Sequence, residues 1–296
     1  MNHGPLIFLA GFFALATSWF GFVLTPQMQV GQLQQTNTVP SGATYPVARA
    51  GLARQGLEVY RANGCVYCHS QQIGQSGTFC EVVLNEPGTN QVALLKALLQ
   101  VSPGLTPASA GEMAAGSGKT VLKGLTREAA EAALKTLSGA GAKASISIVP
   151  FGPDLARGWG KRRTVAEDFL FDYPVMLGSI RIGPDLANIG VRQPDLNWHL
   201  LHLYLPTLQV KGSSMPPYRF LFEKRRIERR QSSEALVLPA NLAPEPGYEI
   251  VPKPEARALA AYLTSLRAEA PLYVAPLTAP APVAATTKAA ATASAK

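Results

Sequence analysis

No charged side chain precedes Arg49 in this sequence. A stretch that long without Lys, Arg, Asp or Glu excludes an ordinary solvated N-terminal domain, whose surface needs charge. Cysteine is also scarce. Three cysteines in 296 residues exclude a disulfide-stapled scaffold. The net charge is +8, yet no long basic run accompanies it, so nucleic acid is not an expected partner. The densest cluster, Arg225, Arg226, Arg229 and Arg230, reads as a solvated face or a contact with another protein. The length leaves room for one large domain or two small ones beside any anchor.

The uncharged N-terminus is dominated by an apolar run from Pro5 to Leu24, "PLIFLAGFFALATSWFGFVL". At about 1.5 Å per helical residue such a run spans about 30 Å, the hydrocarbon thickness of a bilayer. Trp19 and Phe20 sit near one end, as interfacial aromatics do. The competing reading is a cleaved signal peptide with "ALA" at residues 14–16 as its site. Cleavage there would leave "TSWFGFVL" at the new terminus, and no basic residue precedes the run. An uncleaved anchor over residues 1–25 is the better reading. Without flanking Lys or Arg, the positive-inside rule does not orient it.

Residues 26–47 are polar and broken by Pro26, Pro40 and Pro46, and read as a linker with no pattern for a core. A helix is expected from Ala48 to Ala62, ended by Asn63-Gly64. Immediately after it comes "GCVYCHSQQI". Cys65 and Cys68 lie three positions apart, and His69 follows directly. A redox dithiol needs the pair but not the histidine. A zinc site needs a fourth ligand, and the remaining cysteine is Cys80. The third reading is one c-type haem, held by two thioethers and ligated at iron by the adjacent histidine.

Composition changes between Thr78 and Val149. Alternation and helical periodicity predict a β-α-α-β-α-β order, with Thr126 as N-cap of the last helix. "GSGKT" at residues 116–120 suggests a phosphate loop, but Met113 stands where the first glycine belongs. The motif also closes a helix and enters a strand, the reverse of what phosphate binding needs, so turn chemistry explains it. The stretch "EVVLNEPGTNQVALLKALLQVSPGLTPASAGEMAAGSGKTVLKGLTREAAEAALKTLSGAGAKASI" resembles the C-terminal domain of the bacterial ribosomal stalk protein. That resemblance implies a fold. The family's factor-recruiting basic positions are kept only at Lys96, so it implies no ribosomal activity. Cys80, on the first strand, is expected to be a buried thiol.

From Phe151 the chain becomes loop-rich. A helix over Asp195–Leu205 carries Trp198, His199 and His202, and a final amphipathic helix starts near Pro254. Residues 275–296 form a low-complexity Ala/Pro tail. Among the candidates for a second axial ligand, Met28 falls in the linker and Met113 in the inserted stretch. Met176 reads as a core methionine. Met215, in "SSMPPYRF", lies in a loop that Pro216 and Pro217 hold extended, which suits a ligand approaching iron at low entropic cost. His199 and His202 read as structural. Gly183-Pro184 offers a turn whose carbonyl can accept the Nδ1 proton of His69, and Arg181 is a candidate partner for a haem propionate.

The blocks "YRANGCVYCHSQQI", "VAEDFLFDYPVMLGSIRIGPDLANIG" and "NWHLLHLYLPTLQVKGSSMPPYRFLFE", with the N-terminal anchor, resemble the mono-haem subunit II of cbb3-type cytochrome c oxidases. The resemblance implies a mainly α protein. A transmembrane helix precedes a class I cytochrome c-like domain, residues 48–76 and 151–274, which a small α+β domain at residues 77–150 interrupts. It implies one covalent haem c on Cys65 and Cys68, with His69 and Met215 as axial ligands, and a periplasmic location beside the bacterial inner membrane. The partners it implies are membrane lipid, the haem–copper catalytic subunit and other cytochrome c subunits, with oxygen reduced on another chain and no active site here. Leu177 and Ile180 depart from the family's usual Trp and Lys. Alternatives are a tethered cytochrome serving another acceptor such as a nitric oxide reductase, a haem-based gas sensor, or an assembly protein.

Overall fold

The computed structural model describes residues 3–31, 33–37, 43–49 and 51–270. The low-complexity tail lies outside these residues, as does part of the linker. The described chain forms two compact units, residues 3–73 with 158–270, and residues 74–157.

The first unit opens with helix α1, Gly4–Trp19, which continues through a π turn, Phe20–Leu24, into a helical segment, Thr25–Val30. From Gly4 to Gln29 it is the one described helix long and apolar enough to cross a membrane. It therefore runs past the boundary expected at residue 25. Pro26 has no amide proton and its ring crowds the carbonyl one turn back. The π turn immediately before it relieves that conflict, as single π turns do inside helices. The linker differs from expectation in a second respect. Tyr45 donates a hydrogen bond to Asp168 Oδ1 at 2.7 Å, and Arg49 pairs with Asp172, so this end of the linker is docked to the unit.

Helix α2, Leu52–Ala62, starts later than the expected residue 48 because Gly51, at φ 56°, turns the chain first. It buries Gly56, Leu57 and Tyr60 against a later helix of the same unit.

The second unit holds an antiparallel sheet of three strands, β1 (Gly77–Glu86), β2 (Lys119–Leu125) and β3 (Lys143–Phe151), in the order β2-β1-β3. Three helices complete it: α3 (Gln91–Val101), α4 (Pro107–Ala114) and α5 (Arg127–Gly139). Each helix has a side-chain cap of the preferred type. Asn90, Thr106 and Thr126 accept from the amides of Ala93, Ser109 and Ala129. Val82, Leu84, Leu94, Leu98 and Leu137 fill its core, and Cys80 is buried beside them as a free thiol. The ends of this unit meet, since Gly77 pairs with Phe151 and the Ser76 amide donates to Phe151 O at 2.8 Å. Gly116–Thr120 joins α4 to β2, with the Gly118 amide bonded to Leu84 O.

The first unit resumes with α6 (Leu196–Tyr204) and a ribbon of β4 (Phe222–Arg226) against β5 (Tyr248–Pro252), and closes with α7 (Pro254–Ser265). The ribbon lies in sequence read as loop. It places Arg225 Nε 2.8 Å from Glu249 Oε1, while Arg226, Arg229 and Arg230 are exposed. Helix α7 crosses α2 at Gly56, where an added Cβ would stand 1.9 Å from Ala258 O and 2.7 Å from Tyr262 Cβ. That closeness brings the Tyr60 and Tyr262 rings to 5.3 Å, both fully buried. The pair contributes about 1.5–3 kcal/mol per ring by area burial, with a smaller gain from ring contact.

Candidate functional site

The site lies in the first unit and is built outward from the end of α2. Asn63 ends the helix, and Gly64, at φ 66°, reverses the chain into a short 3₁₀ turn, Cys65–Tyr67. Amides of Cys68 and His69 both bond to Cys65 O, so the two thiols and the imidazole are presented from one tight turn. Burial pushes the Cys65 thiol up to about 11.

A second segment, residues 181–187, holds this turn in place. The Gly183 amide donates to Cys68 O at 2.9 Å, and Leu186 N donates to Ser70 O at 2.8 Å. His69 Nδ1 lies 2.8 Å from Pro184 O. A carbonyl only accepts, so Nδ1 carries the proton and Nε2 keeps a free lone pair. Burial holds His69 below the ordinary histidine range, which keeps that lone pair available. Gly183 lies directly against the ring. A Cβ there would sit 2.2 Å from His69 Cε1, so only glycine fits.

Asp185 is a residue the sequence reading missed. It is fully buried, and its carboxylate accepts from Ser70 Oγ at 2.5 Å, Gln72 N at 2.7 Å and Ala187 N at 2.8 Å. A buried carboxylate with this many donors is satisfied and ties the two segments together. The signal available in sequence was an acid directly after the Gly-Pro turn. Arg181 serves this lock: its Nε donates to Ser70 Oγ at 2.8 Å, its guanidinium lies 3.8 Å from Asp185 Oδ2, and it stacks over Trp159. Arg181 is not among the residues that line the cavity described next, and the buried charge of Asp185 lies close to its guanidinium.

Cys65, Cys68 and His69 face a cavity of about 360 Å³. Met215 reaches the same cavity from the loop after α6, together with Tyr60, Pro184, His199, His202 and Leu259. The Met215 loop is pinned by Tyr218 N, which donates to Leu203 O at 2.8 Å. The other methionines among the described residues are placed elsewhere. Met28 lies on the N-terminal helix, Met113 packs in the second unit, and Met176 is buried in the core of the first.

Two histidines on α6 complete the wall. His199 Nε2 bonds to Gln193 O at 2.8 Å. The His202 ring stacks on Trp198 at 4.8 Å with 8° between planes, and burial lowers its pKa to about 4. Two buried polar atoms of this wall, Tyr60 Oη and His202 Nδ1, have no protein hydrogen-bond partner. Among the described residues, no group of three or more His, Cys, Asp or Glu could hold a metal ion alone. The donor set instead suits a large, mostly apolar group that brings its own metal, with two thiols for attachment and one imidazole for ligation.

Comparison with known proteins finds two families. The family described as "Cytochrome C oxidase, mono-heme subunit/FixO" matches residues 139–243, a span that contains Arg181, Pro184 and Met215 and begins after the Cys65–His69 turn. The family "Ribosomal protein L7/L12 C-terminal domain" matches residues 80–147. Among curated proteins, large ribosomal subunit protein bL12 of Paracidovorax citrulli is 43% identical over 65 residues, 22% of this chain and 51% of that protein. The bL12 of Albidiferax ferrireducens is 34% identical over 96 residues, 32% of this chain and 74% of that protein. The bL12 of Delftia acidovorans is 42% identical over 65 residues, 22% of this chain and 51% of that protein. This chain thus spans about half the length of two of these relatives. The chain carries within it a ribosomal L7/L12 C-terminal domain, and its residues 139–243 match the mono-haem subunit family of cytochrome c oxidases.

Proposed function

We propose that the protein is a membrane-anchored mono-haem c-type cytochrome with a class I cytochrome c fold, and that it is the electron-transfer subunit of a cbb3-type haem–copper oxidase in aerobic or microaerobic respiration. The observation that carries this reading is one cavity shared by Cys65, Cys68, His69 and Met215, although about 150 residues separate the turn from the methionine. Cys65 and Cys68 would hold the haem through thioethers, and His69 and Met215 would ligate its iron. A bound haem c supplies a one-electron iron couple. The chain's own contribution is to fix and shield. Pro184 O holds the His69 proton on Nδ1 and aims Nε2 into the cavity. The α2–α7 crossing and the Met215 loop keep the cavity walls largely apolar.

The N-terminal helix, apolar throughout and with no residue buried in the protein, supports a single-pass anchor in a bacterial inner membrane. Haem attachment outside the cytoplasm would put the remainder on the periplasmic side. The haem–copper catalytic subunit and the oxidase's other cytochrome c subunits are the proposed partners, with oxygen reduced elsewhere. In the proposed layout, the inserted domain at residues 77–150 is a passenger between the two parts of the cytochrome domain.

The test is direct. The denatured chain is expected to keep haem through gel electrophoresis, and Cys65→Ala with Cys68→Ala to lose it; a haem stain that survives in the double variant would refute the attachment. Purification in mild detergent is expected to bring down a haem–copper subunit. Recovery with a nitric oxide reductase instead would change the acceptor.

A further inference from the structure

We infer that His202 is a positioning residue for the bound haem, donating a hydrogen bond from Nε2 to one of its propionate carboxylates. The inference rests on the haem reading above and adds a residue to it. Three observations carry it. First, His202 lines the cavity that Cys65, Cys68, His69 and Met215 share. Second, its Nδ1 is sealed within the protein and has no partner, whereas its neighbour His199 spends Nε2 on Gln193 O. Third, the ring is held flat against Trp198, at 4.8 Å and 8°, which fixes the plane of the ring at the cavity wall.

These facts choose the tautomer. A sealed N–H without an acceptor forfeits the larger part of a hydrogen bond's desolvation cost, while a bare imidazole nitrogen is the cheaper group to leave unpaired. The proton therefore belongs on Nε2, which is not among the sealed atoms. A single fixed N–H at the wall then needs an acceptor from whatever fills the cavity. A haem offers two kinds of polar group, the iron and the propionates. His69 and Met215 account for the iron, which leaves a carboxylate. Arg181, the cation that sequence suggested for that task, is engaged with Ser70 and Asp185 and is not among the residues lining the cavity.

The consequence is electrostatic. A propionate charge near the iron favours the oxidised state, and a donor that draws that charge toward itself raises the reduction potential. His202→Phe keeps a flat ring against Trp198 and removes the donor, whereas His202→Gln keeps an N–H. In the full-length holoprotein, His202→Phe is expected to retain covalent haem, lower the potential and shift the carboxylate stretching bands in the redox difference infrared spectrum. His202→Gln is expected to recover part of both shifts. A His202→Phe holoprotein with wild-type potential and wild-type carboxylate bands would overturn the inference. A measurement on the unmodified chain stands independently of folding in the variants. Nitrogen NMR of histidine-labelled holoprotein is expected to show His202 protonated at Nε2 and bare at Nδ1, and the opposite tautomer would overturn the proposal. A wild-type chain with no covalent haem would instead sink the proposed function itself, a different outcome from either.

Discussion

Gly56→Ala tests the packing on which the first unit rests. Two effects of the added methyl oppose each other. Alanine is the better helix former by about 1 kcal/mol in a helix interior. Against that, the methyl would meet Ala258 O at 1.9 Å, ~1.5 Å inside ordinary contact, and Tyr262 Cβ at 2.7 Å. The obstacle is a backbone carbonyl of α7, which cannot rotate away as a side chain does. Relief requires α2 and α7 to separate, and a gap of even about 0.5–1 Å forfeits a quarter to a half of each contact's attraction. Overpacking costs about 1–3 kcal/mol, and a rigid obstacle puts this case at the upper end. The net expectation is a loss of about 2 kcal/mol, or about 30-fold in the local opening equilibrium. Hydrogen exchange by mass spectrometry on peptides covering residues 52–62 and 254–265 measures it, with faster exchange expected in both. Gly111→Ala on α4 is the control. It has open space at its Cβ, so propensity should act alone there and slow exchange. Unchanged or slower exchange in Gly56→Ala would refute the close-crossing argument.

The remaining predictions concern the site and the insertion. Gly183→Ala is expected to push the His69 ring off Pro184 O while the thioethers hold, changing the axial-ligand absorption bands; a wild-type spectrum would contradict the contact at 2.2 Å. Replacing residues 77–150 by a short Gly/Ser linker is expected to leave haem attachment and the visible spectrum intact, because the ends of that stretch meet at Gly77 and Phe151. Loss of haem in this variant would make the insertion part of the cavity's support. The folded state also holds His199 below the ordinary histidine range through burial. The unfolded chain, titrating near about 6.5, therefore binds more protons below that pH, so stability rises with pH up to about 6.5 and levels off above it. The urea midpoint should fall on acidification, and fall less in His199→Gln; equal losses in both would remove His199 as a cause.

Local patterns made much of this protein readable without coordinates. The apolar run, the capped helices at Asn90, Thr106 and Thr126, and the alternating strand from Gly77 follow from interactions within a few residues, so the sequence carries them on its face. The Cys65-Cys68-His69 turn is likewise local, because one tight turn presents all three groups. Boundaries were less legible. Pro26 read as a break, but a π turn upstream absorbs it, and the choice between a break and a bulge depends on the whole helix.

Tertiary structure alone decided how distant segments complete the site. Nothing local to Phe222–Arg226, a charge-rich run, marks it as a strand. It becomes one because Tyr248–Pro252 offers the matching ladder and Glu249 offers Arg225 a partner. Arg181 was legible as a cation near the site, but its direction was set by Asp185, whose burial only the fold reveals. His202 looked like any histidine one turn from another on a helix. Its role depends on which nitrogen the fold seals and which it leaves open, and that is a property of the surrounding packing rather than of any residue nearby in the chain.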